Sequence, residues 1–224
     1  FIEDPRHFAH GFSFYKLFWI FFIGCILGVV VETLWCLVTR GHYENRVGLV
    51  WGPFNLVYGF GALFMSLGLH WAEKKRDGIV FLGGVLIGSV YEYLCSWIQE
   101  QMFGSVSWQY DNLPFNLHGR INLLYSMFWG ILALIWVKDL QPMMCRWIAK
   151  IPNRYGKPLT WALVAFMIVN TAVSGLAVGR WSQRVDGLGP QDSLAAALDR
   201  HFPDERLSRI YPNMVFVKVQ HPAA

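Results

Sequence analysis

Charge is scarce in this chain. Only 15% of its 224 residues are Asp, Glu, Lys or Arg, against about a quarter in soluble domains, which argues against a surface that faces water all round. Cysteine is scarce too: Cys25, Cys36 and Cys95 lie inside apolar runs and Cys145 stands beside Arg146. No pair has metal-ligand spacing and no disulfide framework is present, so they read as small packing residues. There is no Gly-x-x-x-x-Gly-Lys-Ser/Thr loop, so any ATP hydrolysis would need another subunit. The net charge of +4 comes from scattered Lys and Arg, without the basic stripe that reads nucleic acid. No secretory signal precedes the first apolar run, which is too long for a signal-peptide core; Phe1 is no initiator, so the start is expected to be trimmed. The sequence names no metal and no cofactor.

What is abundant is apolar and aromatic: 54% hydrophobic residues, with 11 Trp and 9 Tyr, enough for aromatic belts at both membrane interfaces. Five apolar segments approach the roughly 20 residues that span a bilayer. They are Tyr15 to Val38, Leu56 to Trp71 (short, extendable through Trp51 to Phe54), Ile79 to Ile98, Ile121 to Val137 and Leu159 to Val178. The expected fold is an all-α polytopic membrane protein, with the lipid bilayer as its first partner. Between the last two spans, Pro142 to Ile151 is too short and too charged to cross and reads as an interfacial helix.

Two motifs recur. Gly24, Gly28 and Glu32, four residues apart, repeat as Gly84, Gly88 and Glu92 at an offset of 60, and Pro53-Phe54-Asn55-Leu56 repeats as Pro114-Phe115-Asn116-Leu117 at 61. The first four spans therefore read as a tandem duplication of a helical hairpin, in which Asn116 is expected to stand where Asn55 stands. The divisions are an N-terminal arm 1–15, a first repeat 16–75, a second repeat 77–137, an interfacial helix and loop 138–158, a fifth span 159–180, and a polar tail 181–224. Within the tail, Gln191 to Phe202 reads as a helix capped by Asp192 or Ser193, and Met214 to Val219 as an extended segment.

Lys and Arg set the expected orientation. Arg6, Lys16, Lys74, Lys75, Arg76, Lys138, Arg146, Lys150, Arg154 and Lys157 fall on one side; only Arg40, Arg46 and Arg120 fall in the loops opposite. The N-terminus is expected in the cytoplasm and the tail outside.

This topology brings the polar residues to the outer side. An ionisable group in hydrocarbon costs several kcal/mol and commonly marks a working site. Glycines at four-residue steps let helices approach closely, and the glutamate one turn on then lies in the seam. The candidate substrate- or ion-binding residues are Glu32, Arg46, Tyr58, Glu92, Glu100, Trp108, Tyr110, Asp111, Asn116 and Arg120, with Ser96 between Glu92 and Glu100 on one helix face. Glu32, Glu92, Arg46 and Arg120 are expected to form one connected cluster, as a site for a proton or cation, as a clamp on an anionic group, or as a structural lock. Their spacing supports no metal site.

Glu32-Thr33, Asn45-Arg46, Gly52-Pro53, Tyr58-Gly59-Phe60-Gly61, Glu92-Tyr93, Trp108, Tyr110, Phe115-Asn116 and Gly119-Arg120-Ile121 resemble the CmpB-like ABC-transporter permease family of bacterial membrane proteins. The resemblance covers about residues 15–180 and is looser in the tail. In the family pattern an acid follows the tryptophan of the third-span loop; here Gln109 stands there, and Asp111 two places on. The resemblance implies the bacterial inner membrane, a transport role and a partner ATPase. Three functions stay open: a transporter using the duplicated glutamates, an intramembrane enzyme on a lipid or lipid-linked substrate at the outer leaflet, and a non-catalytic subunit of a larger complex.

Overall fold

The computed structural model describes residues 4–217. Most of the apolar sequence is helical. Among the described residues, four helices are long and apolar enough to cross a membrane: Phe14–Arg40, Asp77–Phe103, Leu123–Ala149 and Asn153–Val185. We call the first two α1 and α3, and the last α6. The third consists of α4 (Leu123–Ile135) and α5 (Gln141–Ala149), joined without a loop by the π-helical turn Trp136–Leu140. Met144, Cys145 and Ile148 of α5 pack with Phe18, Trp19 and Ile20 of α1.

The second apolar segment is different. Its helix α2 runs only from Leu56 to Gly68, followed by a 3-10 turn His70–Ala72. Thirteen residues make a rod of about 20 Å, short of the roughly 30 Å hydrocarbon layer. The shortfall has a structural cause. Asn55, the N-cap of α2, donates its backbone N–H to the Cys25 carbonyl at 3.1 Å, in the middle of α1. The loop between α1 and α2 therefore dips inward by about 20 Å from the end of α1, at 1.5 Å per residue. Irregular backbone at that depth survives only when protein covers it. Here Leu49 and Phe54 are buried with Cys25 and Met167, Val50 N–H donates to Ser174 Oγ, and Asn170 of α6 bonds both the N–H and the carbonyl of Trp51.

Glycines decide the two hairpin seams. A methyl on Gly24 would lie 2.8 Å from Ala62 Cβ, and one on Gly28 would collide with Tyr58; Gly84 and Gly88 meet Ala133 and Trp129 in the same way. On α3 the buried residues Val80, Gly84, Gly88, Glu92 and Ser96 form a ridge at steps of four, the row that packs into a neighbouring helix. Residues facing this ridge in α4 lie 71 positions after those facing α1 in α2.

The second motif does not keep its expected place. α4 is capped by Asn122, whose side chain accepts from Leu124 N–H as that of Asn55 accepts from Val57 N–H. Each cap also holds its own loop, Asn122 donating to the Pro114 carbonyl and Asn55 to that of Arg46. Asn116 sits instead in a small hairpin, β2 (Asn116–Leu117) paired with β3 (Ile121–Asn122). The caps are 67 residues apart and the facing residues 71, so α4 has about one more helical turn above its crossing with α3.

Two ends of the bundle collect different segments. At one, Asn153 bonds Phe8 N–H and the Arg6 carbonyl, Phe12 packs on His70, and Lys138 pairs with Asp77 at 3.2 Å. Lys16, expected to flank the membrane, is wholly buried there beside Cys145, its Nζ without a hydrogen-bond partner among the described residues. At the other end the tail folds back over the loops. Its helices α7 (Ser193–His201, capped by Asp192) and α8 (Asp204–Ile210) form a core with Val50, Val178 and Trp181. Strand β4 (Val215–Phe216) pairs antiparallel with β1 (Ser105–Val106), while Tyr211 Oη donates to the Gly48 carbonyl. Residues 218 and 219 of the expected extended segment lie outside the described residues.

Candidate functional site

The duplicated glutamates sit at equivalent places on α1 and α3 but in different company. Glu32 Oε1 pairs with Arg46 Nη2 at 2.5 Å. Arg46 comes from the inward-dipping loop and also lies 3.8 Å from Glu44, which pairs with Arg40 at 2.6 Å and accepts from Cys36 Sγ at 3.5 Å. Burial works against the Glu44 carboxylate, but Arg46, the Cys36 thiol and Arg40 together hold it below its ordinary value, with help from Asn213 of the tail. Two carboxylates thus face two guanidiniums.

Glu92 makes no ion pair among the described residues. It is 8% exposed. Tyr110 Oη donates to its Oε1 at 2.7 Å and Trp129 Nε1 to its Oε2 at 2.9 Å. Both donors are neutral. Burial pushes the Tyr110 phenol far above its ordinary value, the Glu92 carboxylate adds to this, and Glu32 adds a smaller push. Tyr110 therefore stays a donor and stands in the field of both duplicated carboxylates. Its ring stacks on Tyr125, from the extra turn of α4, with centroids 4.8 Å apart.

Arg120 does not reach Glu92. Its Nη2 pairs with Glu100, its Nη1 donates to Ser96 Oγ at 3.1 Å, and it lies over the Tyr93 ring. The expected single cluster is therefore divided into Glu32 with Arg46, Glu100 with Arg120, and Glu92 with Tyr110 and Trp129. The helix-to-loop ion pair is also reversed between repeats: Arg40 of α1 binds Glu44 of its loop, whereas Glu100 of α3 binds Arg120. Arg40 and Glu100 share the 60-residue offset.

The remaining candidates organise these groups. Trp108 Nε1 donates to the Arg120 carbonyl at 3.1 Å, and Tyr110 N–H to the Gly119 carbonyl at 2.8 Å. Asp111 is exposed and lies against Gly119, whose φ of +65° favours glycine and where a methyl would collide with the carboxylate. Asn116 accepts from Gly119 N–H and donates to the Leu113 carbonyl. Tyr58 fills the notch at Gly28, as Trp129 does at Gly88. Beside Arg120 opens a cavity of about 350 Å³, lined by Ser96, Glu100, Trp108, Asp111, His118 and Arg120 among others. Sequence reasoning missed Trp129 as the second donor to Glu92; only its place opposite Gly88 reveals it, and no local pattern marks that.

Membrane-crossing helices arranged as two glycine-sealed hairpins, with carboxylates inside the seams, define a multi-pass membrane protein of permease-like type. The family described as "Putative ABC-transporter type IV" (CmpB) matches residues 19–175, and the chain belongs to it. Its tail beyond α6 lies outside the matched region. No curated protein and no solved structure is significantly similar to the chain.

Proposed function

We propose that the protein is a permease whose working group is Glu92, neutralised in turn by a proton or another small cation reaching it from the end that carries the loops and the tail. One observation supports this above the others. Among the described residues the two duplicated half-sites differ by one positive charge: Glu32 and Glu44 are balanced by Arg46 and Arg40, whereas Glu92 and Glu100 have only Arg120. A buried charge without a counter-ion costs several kcal/mol, so a second-repeat site short of one cation favours an exchangeable one. The first repeat suits a fixed structural lock. The N-terminal end, with its excess of Lys and Arg, is assigned to the cytoplasm.

A second reading, an enzyme on lipid at the outer leaflet, draws on an apolar recess of about 330 Å³ at the start of α4, lined by Leu113, Phe115, Leu124 and Met127. The family description implies an ATP-hydrolysing partner; its place would be the basic end, where loops are short.

The test is a pH jump applied to proteoliposomes adsorbed on a solid support. Wild type is expected to show a charge displacement that Glu92→Gln abolishes. A displacement unchanged in that variant sinks the proposal, and none in either protein favours the reading as a non-catalytic subunit of a larger complex.

A further inference from the structure

The cavity above Glu92 has an inventory of free groups that points to one ligand chemistry. Its guanidinium is already paired: Arg120 donates through Nη1 to Ser96 and binds Glu100 through Nη2, with its Cζ 5.7 Å from the Tyr93 ring centroid, which leaves its other N–H groups unspent among the described residues. The Trp108 indole N–H is spent on the Arg120 carbonyl, and His118 Nδ1 shares a hydrogen bond with Tyr93 Oη at 2.8 Å. The Gln109 amide also lines the cavity without a hydrogen bond among the described residues, but the free charged groups are acceptors. Glu100 Oε1 has no partner among the described residues, and neither oxygen of Asp111 has a hydrogen bond or an ion pair there. Among the described residues, two carboxylates thus share the cavity with one guanidinium already paired.

An anion would meet two carboxylates around a guanidinium already paired with Glu100. A neutral ligand would leave the excess negative charge unanswered. A hard divalent ion takes six or more oxygen ligands, and among the described residues no three His, Cys, Asp or Glu side chains gather in metal-binding fashion. A compact cation with several N–H donors fits both the free acceptors and the charge.

We infer that this cavity binds the primary ammonium group of a small amine, held between Asp111 and Glu100 beside Trp108. The inference rests on the cation-handling reading above and names the substrate class of the same half-site. Its volume, about 350 Å³, is at the small end of ligand pockets. Ser96 and then Glu92 follow Glu100 at successive steps of four along α3, each about 6 Å deeper, so a bound ammonium stands at the head of a polar stripe that ends on the unpaired carboxylate. The tail closes one side: Val217 lines the cavity and donates its N–H to the Gly104 carbonyl at 2.8 Å.

Ammonium groups come from free amines or from the headgroups of aminophospholipids, and the experiment separates them. The full chain in phosphatidylglycerol nanodiscs is titrated calorimetrically with ethanolamine and with ethylene glycol. In parallel, native mass spectrometry compares retention of phosphatidylethanolamine and phosphatidylglycerol. Saturable ethanolamine binding with none for the diol indicates a free amine; selective retention of phosphatidylethanolamine alone indicates the lipid. In either case Asp111→Asn, an exposed and isosteric change, is expected to weaken binding about tenfold or more, as for loss of a charge-assisted hydrogen bond. Gly119→Ala, which crowds Asp111, should act in the same direction. Absence of binding in both arms, or binding indifferent to Asp111→Asn, overturns the assignment. Binding is read at equilibrium without flux. Failure here beside an intact Glu92-dependent displacement removes only the amine, and binding without that displacement removes only the transport reading.

Discussion

Trp129 Nε1 reaches across the seam of α3 and α4 to Glu92 Oε2 at 2.9 Å, and its ring lies against Gly88 one turn along the same helix. The absence of a side chain at Gly88 therefore makes room for the ring that holds the carboxylate. Packing and polarity at this seam are one arrangement.

Glu92 and Glu32 should respond differently to loss of charge. Glu92→Gln keeps the shape, strands no arginine and leaves at most one donor short, a cost of about 1–2 kcal/mol. Glu32→Gln leaves Arg46 without its nearest carboxylate. Both side chains are partly exposed, at 26% and 18%, so the cost is about 2–3 kcal/mol, below the value for a fully buried pair. Thermal unfolding in detergent measures both; equal losses would contradict the asymmetry between the repeats.

Gly88→Ala should destabilise by about 1–3 kcal/mol through overpacking against Trp129. Gly175→Ala, where nothing lies within 4 Å of the new methyl, should be neutral or gain up to about 1 kcal/mol from helix propensity. A Gly88 variant as stable as wild type would show that the seam is looser than described.

Asn122→Ala should cost about 0.5–2 kcal/mol as a lost helix cap and speed amide exchange at Leu124, the capped N–H. Asn116→Ala should leave that amide protected, since its side chain serves Gly119 and Leu113 instead. Faster exchange at Leu124 in the Asn116 variant would restore the equivalence of Asn55 and Asn116.

The tail should detach in acid. Arg180 beside Asp199, helped by Arg184, holds that carboxyl below its ordinary value of 3.8. A group depressed in the folded state stabilises fully above its unfolded pKa and loses that contribution as pH falls through the folded one. Protease cleavage of the tail should therefore rise below about pH 4, and Asp199→Asn should cleave readily at neutral pH. A tail equally resistant at pH 3 and pH 7 would refute this.

Sidedness can be read with a membrane-impermeant thiol reagent on intact cells, using single cysteines in a cysteine-free background. Positions 112 and 191, at the end where loops and tail meet, should label. Position 75 should not. Labelling at 75 alone would reverse the orientation and move the cavity to the cytoplasm.

The helical class, the apolar segments and the glycine–glycine–glutamate duplication were legible in the sequence because each rests on local composition and on four-residue spacing, which a helix converts directly into one face. The tail helix was legible from its capping residues, Asp192 or Ser193, of which the structure uses Asp192. Tertiary structure decided the rest. A repeated tetrapeptide could not reveal that Asn122, rather than Asn116, caps α4, because capping depends on where the loop's hairpin turns. Nor could hydropathy show that α2 starts at the depth of Cys25, since Leu49, Val50 and Phe54 are as apolar in a buried loop as in a helix. Which arginine answers which glutamate was the least legible of all. A long guanidinium reaches several carboxylates from one backbone position, and only the packed loops determine that Arg46 finds Glu32 while Arg120 finds Glu100 and leaves Glu92 to two neutral donors.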